Sequence, residues 1–282
     1  MKSYIEAIRG YKLLMNKIEG IPLGNFPAQH WPPVKPNKPA VVGLWAHPDD
    51  ETLSGGPLSV RLRNMGSRVV DIPVTLGRPE QYARRRVELE NACKHLGIDL
   101  LYPTQNGLRD QIKSDRPDDW NFAVNSVREI LEELKPKVII THHDDDGHHD
   151  HIKTNQLAVA AMRQIPDLDC VFVESQYWKD MAKPNLQLEI SDADLATLLE
   201  ALSCHREELV RNRYDKFWLP YAHNNARYGE VVTGWGTPAA EFWFSAMYRV
   251  RRFRGGQFED FLFPLQLAAN EPISRILPSD WV

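Results

Sequence analysis

Two clusters of histidine and aspartate hold most of the chemistry open to this chain. The first is Ala46-His47-Pro48-Asp49-Asp50-Glu51, and the second is Thr141-His142-His143-Asp144-Asp145-Asp146-Gly147-His148-His149-Asp150-His151; together they contain six of the ten histidines. Imidazole nitrogen and carboxylate oxygen are the donors a catalytic zinc takes, with one position left open for water. His47 and Asp50, three residues apart at what reads as a helix start, can face the same way and grip one ion. Pro48 between them suits the first turn. Asp49 points elsewhere and is free to take a proton from a water whose pKa a metal has lowered toward ~7. His148 and His151 repeat the three-residue spacing. One of them can complete the metal's ligands. The other can stand beside a substrate as a proton donor or as a cation facing a tetrahedral oxyanion. Asp150, between them, can fix a histidine tautomer from behind. The chain reads as a metal-dependent hydrolase.

Each cluster also has an ordinary reading. Asp-Asp-Glu at a helix start is commonly a cap that complements the helix dipole, and a histidine-rich loop is often a solvated turn. Placement argues against both. The first cluster follows the apolar run Ala40-Val41-Val42-Gly43-Leu44-Trp45 and the second follows Val138-Ile139-Ile140. Each run reads as a strand, and each cluster leads into a helix. Open α/β sheets bind ligands at the carboxyl ends of their strands, so folding can bring the two clusters into one site. The isolated His30, His95, His205 and His223 read as non-catalytic. His142 and His143 lie at a strand end, where one packs or lines a rim, and Asp144, Asp145 and Asp146 read as a polar turn. Trp120, Trp178 or Trp235 could stack on a sugar, although packing is the default for any single tryptophan.

The positioning elements follow from periodicity. An amphipathic helix is expected over residues 3–19, then an extended arm carrying Pro22, Pro27, Pro32, Pro33, Pro36 and Pro39. Strands are expected at 40–45, 69–76, 100–102, 138–140 and 170–174. Helices are expected at 79–96, ending at Gly97, and at 118–134, 152–165 and 191–213, the last opened by a Ser191/Asp194 capping box. Such alternation predicts an α/β fold with a mostly parallel sheet and helices on both faces. Residues 1–39 read as helix plus arm, and 40–282 as a single α/β domain whose C-terminal part is less regular. No Gly-x-Gly-x-x-Gly or phosphate loop follows the first strand.

Bulk properties narrow the classes. Of 282 residues, 43% are hydrophobic and 26% charged, with a net charge of −4. That is ordinary for a globular protein and weighs against nucleic acid as the main partner. Cys93, Cys170 and Cys204 include no Cys-x-x-Cys pair, which fits a reducing compartment and excludes a thiolate zinc site. The first residues lack an apolar signal core, and no stretch reaches the roughly 18 apolar residues of a membrane span. The expected location is cytoplasmic, with no membrane partner.

The first cluster resembles the Ala-His-Pro-Asp-Asp-Glu signature of the LmbE-like zinc de-N-acetylases, the PIG-L family. Gly55-Gly56 follows it as in the family. Arg85-x-x-Glu88-Leu89-x-x-Ala92 with Leu96-Gly97 is similar to the family's helix after the second strand. Gly147-His148-His149-Asp150-His151 is similar to its Gly-His-Pro-Asp-His block, and Ala240-Glu241-Phe242 to a later element. The likeness spans about residues 40–245. It implies a Rossmann-like fold, with a Zn2+ held by His47, Asp50 and His151. It implies Asp49 as general base, His148 stabilising the oxyanion and protonating the leaving amine, and Asp150 supporting the site from behind. Arg85 would contact a sugar hydroxyl, and Asp110 likewise. His149 stands where the family has proline, which loosens the loop and offers a spare ligand.

The implied activity is zinc-dependent removal of an N-acetyl group from an N-acetylglucosamine-containing small molecule, giving acetate and a free amine. The alternatives are an amidohydrolase acting on a non-sugar acyl amide, a metal-dependent phosphoesterase, or a metal or sugar sensor. The phosphoesterase would need further ligands that are not found, and the sensor has no use for Asp49. The proline-rich arm could serve a homo-oligomer contact or cover a pocket.

Overall fold

A computed structural model describes residues 2–237, 241–278 and 281 of the chain. Nine strands form one sheet: β1 Val41–Trp45, β2 Val69–Pro73, β3 Asp99–Leu100, β4 Val138–His142, β5 Asp169–Ser175, β6 Leu186–Glu189, β7 Ser245–Arg254, β8 Gln257–Glu259 and β9 Leu265–Leu267. Their order is β3-β2-β1-β4-β5-β7-β6-β9, with β8 paired to β7. β1 to β5 run parallel, and β7 runs antiparallel between β5 and β6. The expected mostly parallel α/β sheet is therefore present.

β1, β2 and β4 are buried along their whole length, as near-continuous apolar runs between two helical layers should be. Alternate residues feed opposite faces. Trp45, Val69 and Ile140 pack with Leu58, Leu62, Leu198 and Trp218 on one side. Leu44, Ile72 and Ile139 pack with Val127, Leu131, Leu157 and Ala161 on the other. The helices covering the first face are Gly56–Asn64, Asp192–Leu202 and Tyr214–Ala226. Those covering the second are Pro117–Leu134 and His149–Met162.

Several boundaries differ from expectation. β2 ends at Pro73, although Val74 and Thr75 still donate backbone hydrogen bonds to Trp45 (2.7 Å) and Ala46 (3.0 Å). β3 covers 99–100 rather than 100–102. The helix expected at 152–165 begins at His149, which places His149, Asp150 and His151 in its first turn. The single helix expected at 191–213 is two, Asp192–Leu202 and Arg206–Arg211, because His205 turns its side chain into the interior. The Ser191 hydroxyl caps the first of them, accepting from Asp194 N–H at 3.1 Å. Helix Tyr214–Ala226 escaped the sequence reading because it carries Pro220 inside, normally a breaker.

The arm packs along the helices and lines two smaller cavities, one through Gly24, Asn25, Phe26 and Ala28 and one through Ile21, Pro22, Leu23 and Phe26. Trp31 donates to the His95 carbonyl at 2.9 Å and Lys35 to the Gly66 carbonyl at 2.9 Å. These anchors hold it against the helices Gly56–Asn64 and Tyr82–Leu96. Ala240 of the Ala240-Glu241-Phe242 likeness lies outside the described residues. Among the described residues no helix is long and apolar enough to cross a membrane.

Trp45 explains one glycine. A Cβ at Gly55 would lie 2.0 Å from the Trp45 ring, and that ring is a fully buried part of the core. Gly55→Ala should cost about 1–3 kcal/mol by overpacking. Thermal unfolding checks this, and an unchanged Tm would show that the ring can give way.

Candidate metal centre and active site

β1 and β4 are adjacent, yet the chain leaves β1 toward β2 on one side and β4 toward β5 on the other. Strand order reverses between them, which is where open α/β sheets open a crevice at their carboxyl ends. The two clusters extend from these two strands and meet there.

Asp50 is the hub. One carboxylate oxygen accepts the His47 backbone N–H at 2.8 Å and lies 3.6 Å from His47 Nδ1. The other lies 3.5 Å from His151 Nε2. Burial opposes its charge, but facing His151, His142 and His47 hold its carboxyl well below the usual carboxylate range. Two overlapping sets have ligand atoms within 4.8 Å of one another: His47, His148 and His151, and Asp50, His142 and His151. His142, read from sequence as packing or rim, is fully buried and stacks on His151 with ring centroids 3.6 Å apart. Its Nε2 accepts the Ala46 N–H at 3.1 Å, so the nitrogen nearest Asp50 is already engaged.

His151 and His47 each have a carboxylate at the second nitrogen. Asp146 Oδ1 lies 3.2 Å from His151 Nδ1 and also accepts the His148 N–H at 2.9 Å. Asp150 Oδ2 lies 3.2 Å from His47 Nε2 and 2.8 Å from Lys113 Nζ. Burial would raise the Asp150 carboxyl, but hydrogen bonds from His47 and Lys113 hold it below the ordinary range. Asp150 supports His47 from behind as expected from sequence, and Asp146, expected only in a polar turn, sits behind His151, with nothing in its spacing to signal it. Lys113 likewise carried no sequence signal.

Asp49 lies beside this cluster. It is buried and adopts φ 113°, ψ −27°, a left-handed backbone that costs a non-glycine residue of order 1–3 kcal/mol. Burial, then the charge of Asp50, pushes its carboxyl up to about 7. Arg85 Nη2 stands 3.9 Å from Asp49 Oδ2 and donates to the Pro48 carbonyl at 3.0 Å. Arg85 is therefore buried at the site, whereas its neighbour Arg84 pairs with Glu88.

A cavity of about 740 Å³ opens over these groups, and Arg85, Arg109, Lys113, His148, Trp178 and Tyr214 are part of its wall. His148 is exposed at its edge, and its Nδ1 accepts the Asp150 N–H at 3.2 Å. Burial, then the facing His47 and His151, lowers its imidazole below the ordinary range. Every residue expected at the site is gathered here except Asp110. Its side chain is 77% exposed beside Arg109 and is not part of the cavity wall. His149 lines the cavity but joins neither ligand set, so the spare-ligand expectation fails. Of the three tryptophans considered, only Trp178 lines the cavity.

Residues 42–162 match the family described as PIG-L: GlcNAc-PI de-N-acetylase. The chain is 28% identical over 182 residues to 1D-myo-inositol 2-acetamido-2-deoxy-alpha-D-glucopyranoside deacetylase of Mycobacterium sp. (strain JLS), covering 52% of this chain and 56% of that protein. It thus spans about half the length of the curated relatives it matches. Among solved structures it resembles N,N'-diacetylchitobiose deacetylase from Pyrococcus horikoshii, at TM-score 0.54 and 18% identity over 77% of this chain and 84% of that one. It also resembles 4-carboxy-2-hydroxymuconate hydratase from Pseudomonas putida, at TM-score 0.58 and 15% identity over 76% and 95%. The structural likenesses show the fold. With a deacetylase and a hydratase sharing it, the reaction must be read from the site.

Proposed function

We propose, from the match of residues 42–162 to the family described as PIG-L: GlcNAc-PI de-N-acetylase, that the chain is a zinc-dependent hydrolase removing the N-acetyl group of an N-acetylglucosamine-containing small molecule. The observation that carries this reading is Asp49, a buried, strained carboxylate beside a cluster of imidazoles and Asp50 at one cavity. A hydrolase needs such a base; a metal store does not.

The residues suit the ion. Two imidazoles and one carboxylate, His47, His151 and Asp50, form a borderline-to-hard donor set of the kind catalytic zinc takes. The second nitrogens of His47 and His151 lie within 3.2 Å of Asp150 and Asp146, the arrangement that orients zinc-ligating histidines. When bound, zinc would supply a Lewis acid that polarises the acetamide carbonyl and acidifies a nearby water.

Asp49 takes the proton from the attacking water. His148, whose Nδ1 accepts the Asp150 N–H, presents Nε2–H to the developing oxyanion as a hydrogen-bond donor, and the proton that Asp49 took from the water goes to the departing amine. Asp150 holds His47 from behind. Arg85 contacts the sugar, and Asp110 is left without a role at the cavity. The three free cysteines support a cytoplasmic setting.

The test is acetate release by the zinc-loaded protein over N-acetylglucosamine conjugates and short chitin oligomers, with phosphate esters alongside. Acetate is expected from at least one sugar amide; phosphate release without acetate overturns the reading. His148→Ala should keep the zinc and lower kcat by ~10²–10³-fold, as for loss of an oxyanion contact. Since His148 also belongs to one of the ligand sets, loss of zinc in that variant would move it among the ligands.

A further inference from the structure

Glu51 and His205 form a buried pair that the mechanism above does not use. His205 Nε2 lies 2.7 Å from Glu51 Oε1, with side-chain exposures of 0% and 1%. The other Glu51 oxygen accepts the Asp49 backbone N–H at 2.8 Å. A two-link chain thus runs from His205 through Glu51 to the backbone of Asp49, at φ 113°. A non-glycine residue stays in that region only where its surroundings over-determine it. The carbonyl of Asp49 is held by the helix that follows, accepting from the Thr52 hydroxyl at 2.7 Å and from the Thr52 and Leu53 backbone N–H groups at 3.0 and 3.1 Å, while its own N–H is held by the Glu51 carboxylate. Glu51 in turn depends on His205, because a carboxylate this deeply buried must be hydrogen-bonded to hold its place.

We propose that His205, acting through Glu51, is a positioning residue that holds Asp49 in the left-handed backbone conformation required of the base. This rests on the proposed hydrolase reading. It explains why the helix expected over 191–213 breaks at Ser203–His205 rather than running on: the break turns an imidazole inward, onto a residue 154 positions earlier in the chain. His205 touches neither the cavity wall nor either ligand set. The Glu51 link carries its effect as geometry, alongside the direct field of the imidazole on the Asp49 carboxyl, and a misplacement of about 1 Å at a catalytic group can cost 10²-fold.

The experiment pairs two variants. His205→Leu keeps volume and removes the donor; His205→Gln keeps an N–H that can reach Glu51. His205→Leu should lower kcat roughly 10–100-fold with KM and zinc content near those of the parent, and His205→Gln should recover most of the loss. Equal activity in parent and His205→Leu, or equal losses in both variants alongside lost zinc, overturns the proposal. Crystal structures of the two variants read the φ of Asp49 without reference to turnover. Asp49 should leave positive φ in His205→Leu and keep it in His205→Gln. Retention near 113° in His205→Leu overturns the positioning role, whereas a parent protein that releases no acetate overturns only the hydrolase reading.

Discussion

Asp49→Asn keeps its zinc and its fold and loses ~10²–10⁴-fold of turnover, the usual range for removing a general base. The amide has the shape of the carboxylate but cannot accept the proton. The contacts that fix the residue are made by its backbone, through Glu51 and Thr52, and survive the change. Stability should move the other way in the metal-free protein. The folded carboxyl, pushed up to about 7 from 3.8, is raised above its unfolded value. Its stabilising contribution is therefore present below about pH 4 and lost as pH rises through 7. Above that pH the ionised carboxylate opposes folding beside Asp50, so Asp49→Asn should unfold at a higher temperature than the parent. Metal analysis, turnover and thermal unfolding at pH 8 check all three statements. Loss of zinc would place Asp49 among the ligands.

His47→Ala and His151→Ala should each abolish both stoichiometric zinc and turnover. The two differ in collateral cost. His151 is 1% exposed in its side chain, lies 3.2 Å from Asp146 and stacks on His142, so its removal leaves a buried cavity, although Asp146 keeps the His148 N–H at 2.9 Å. Truncating a buried side chain of this size costs about 2–5 kcal/mol, and Tm should fall with the metal. His47 has 19% of its side chain exposed, and its partner Asp150 keeps Lys113 at 2.8 Å. His47→Ala should therefore lose zinc while staying folded at ambient temperature, which makes it the cleaner test. Elemental analysis decides; a full zinc complement in both variants would refute the ligand assignment.

Strands β1 and β4 are legible because they are buried along their whole length and read as apolar runs. Placement after β1 and β4 brought the two clusters together on topology alone. Less was legible where the cause is tertiary. The turn of His205 into Glu51, and with it the helix break, depends on a partner 154 residues away. Asp146 looks like any aspartate in a polar turn until the helix start at His149 aims it at His151. Arg85 would have been called solvated on its local charge run, and only the family likeness kept it at the site, where the fold buries it. Asp110 was carried over on the same likeness and lies on the exposed side of its short helix. Residues 214–226 hide a helix behind Pro220, and strands β6, β8 and β9 are only four, three and three residues long, too short for their alternation to stand out.

The strand order limits how far this protein can be trimmed. The family match ends at residue 162, but β5, which lies directly against β4, and β7, which lies against β5, are added later in the chain. A fragment cut at the end of the match would bare the unpaired edge of β4, whose Val138, Ile139 and Ile140 are all buried in the whole chain. An apolar edge of that kind templates intermolecular strand addition. A minimal version made for expression or display would accordingly be expected to precipitate, and useful truncation has to stay beyond Arg254, where β7 ends.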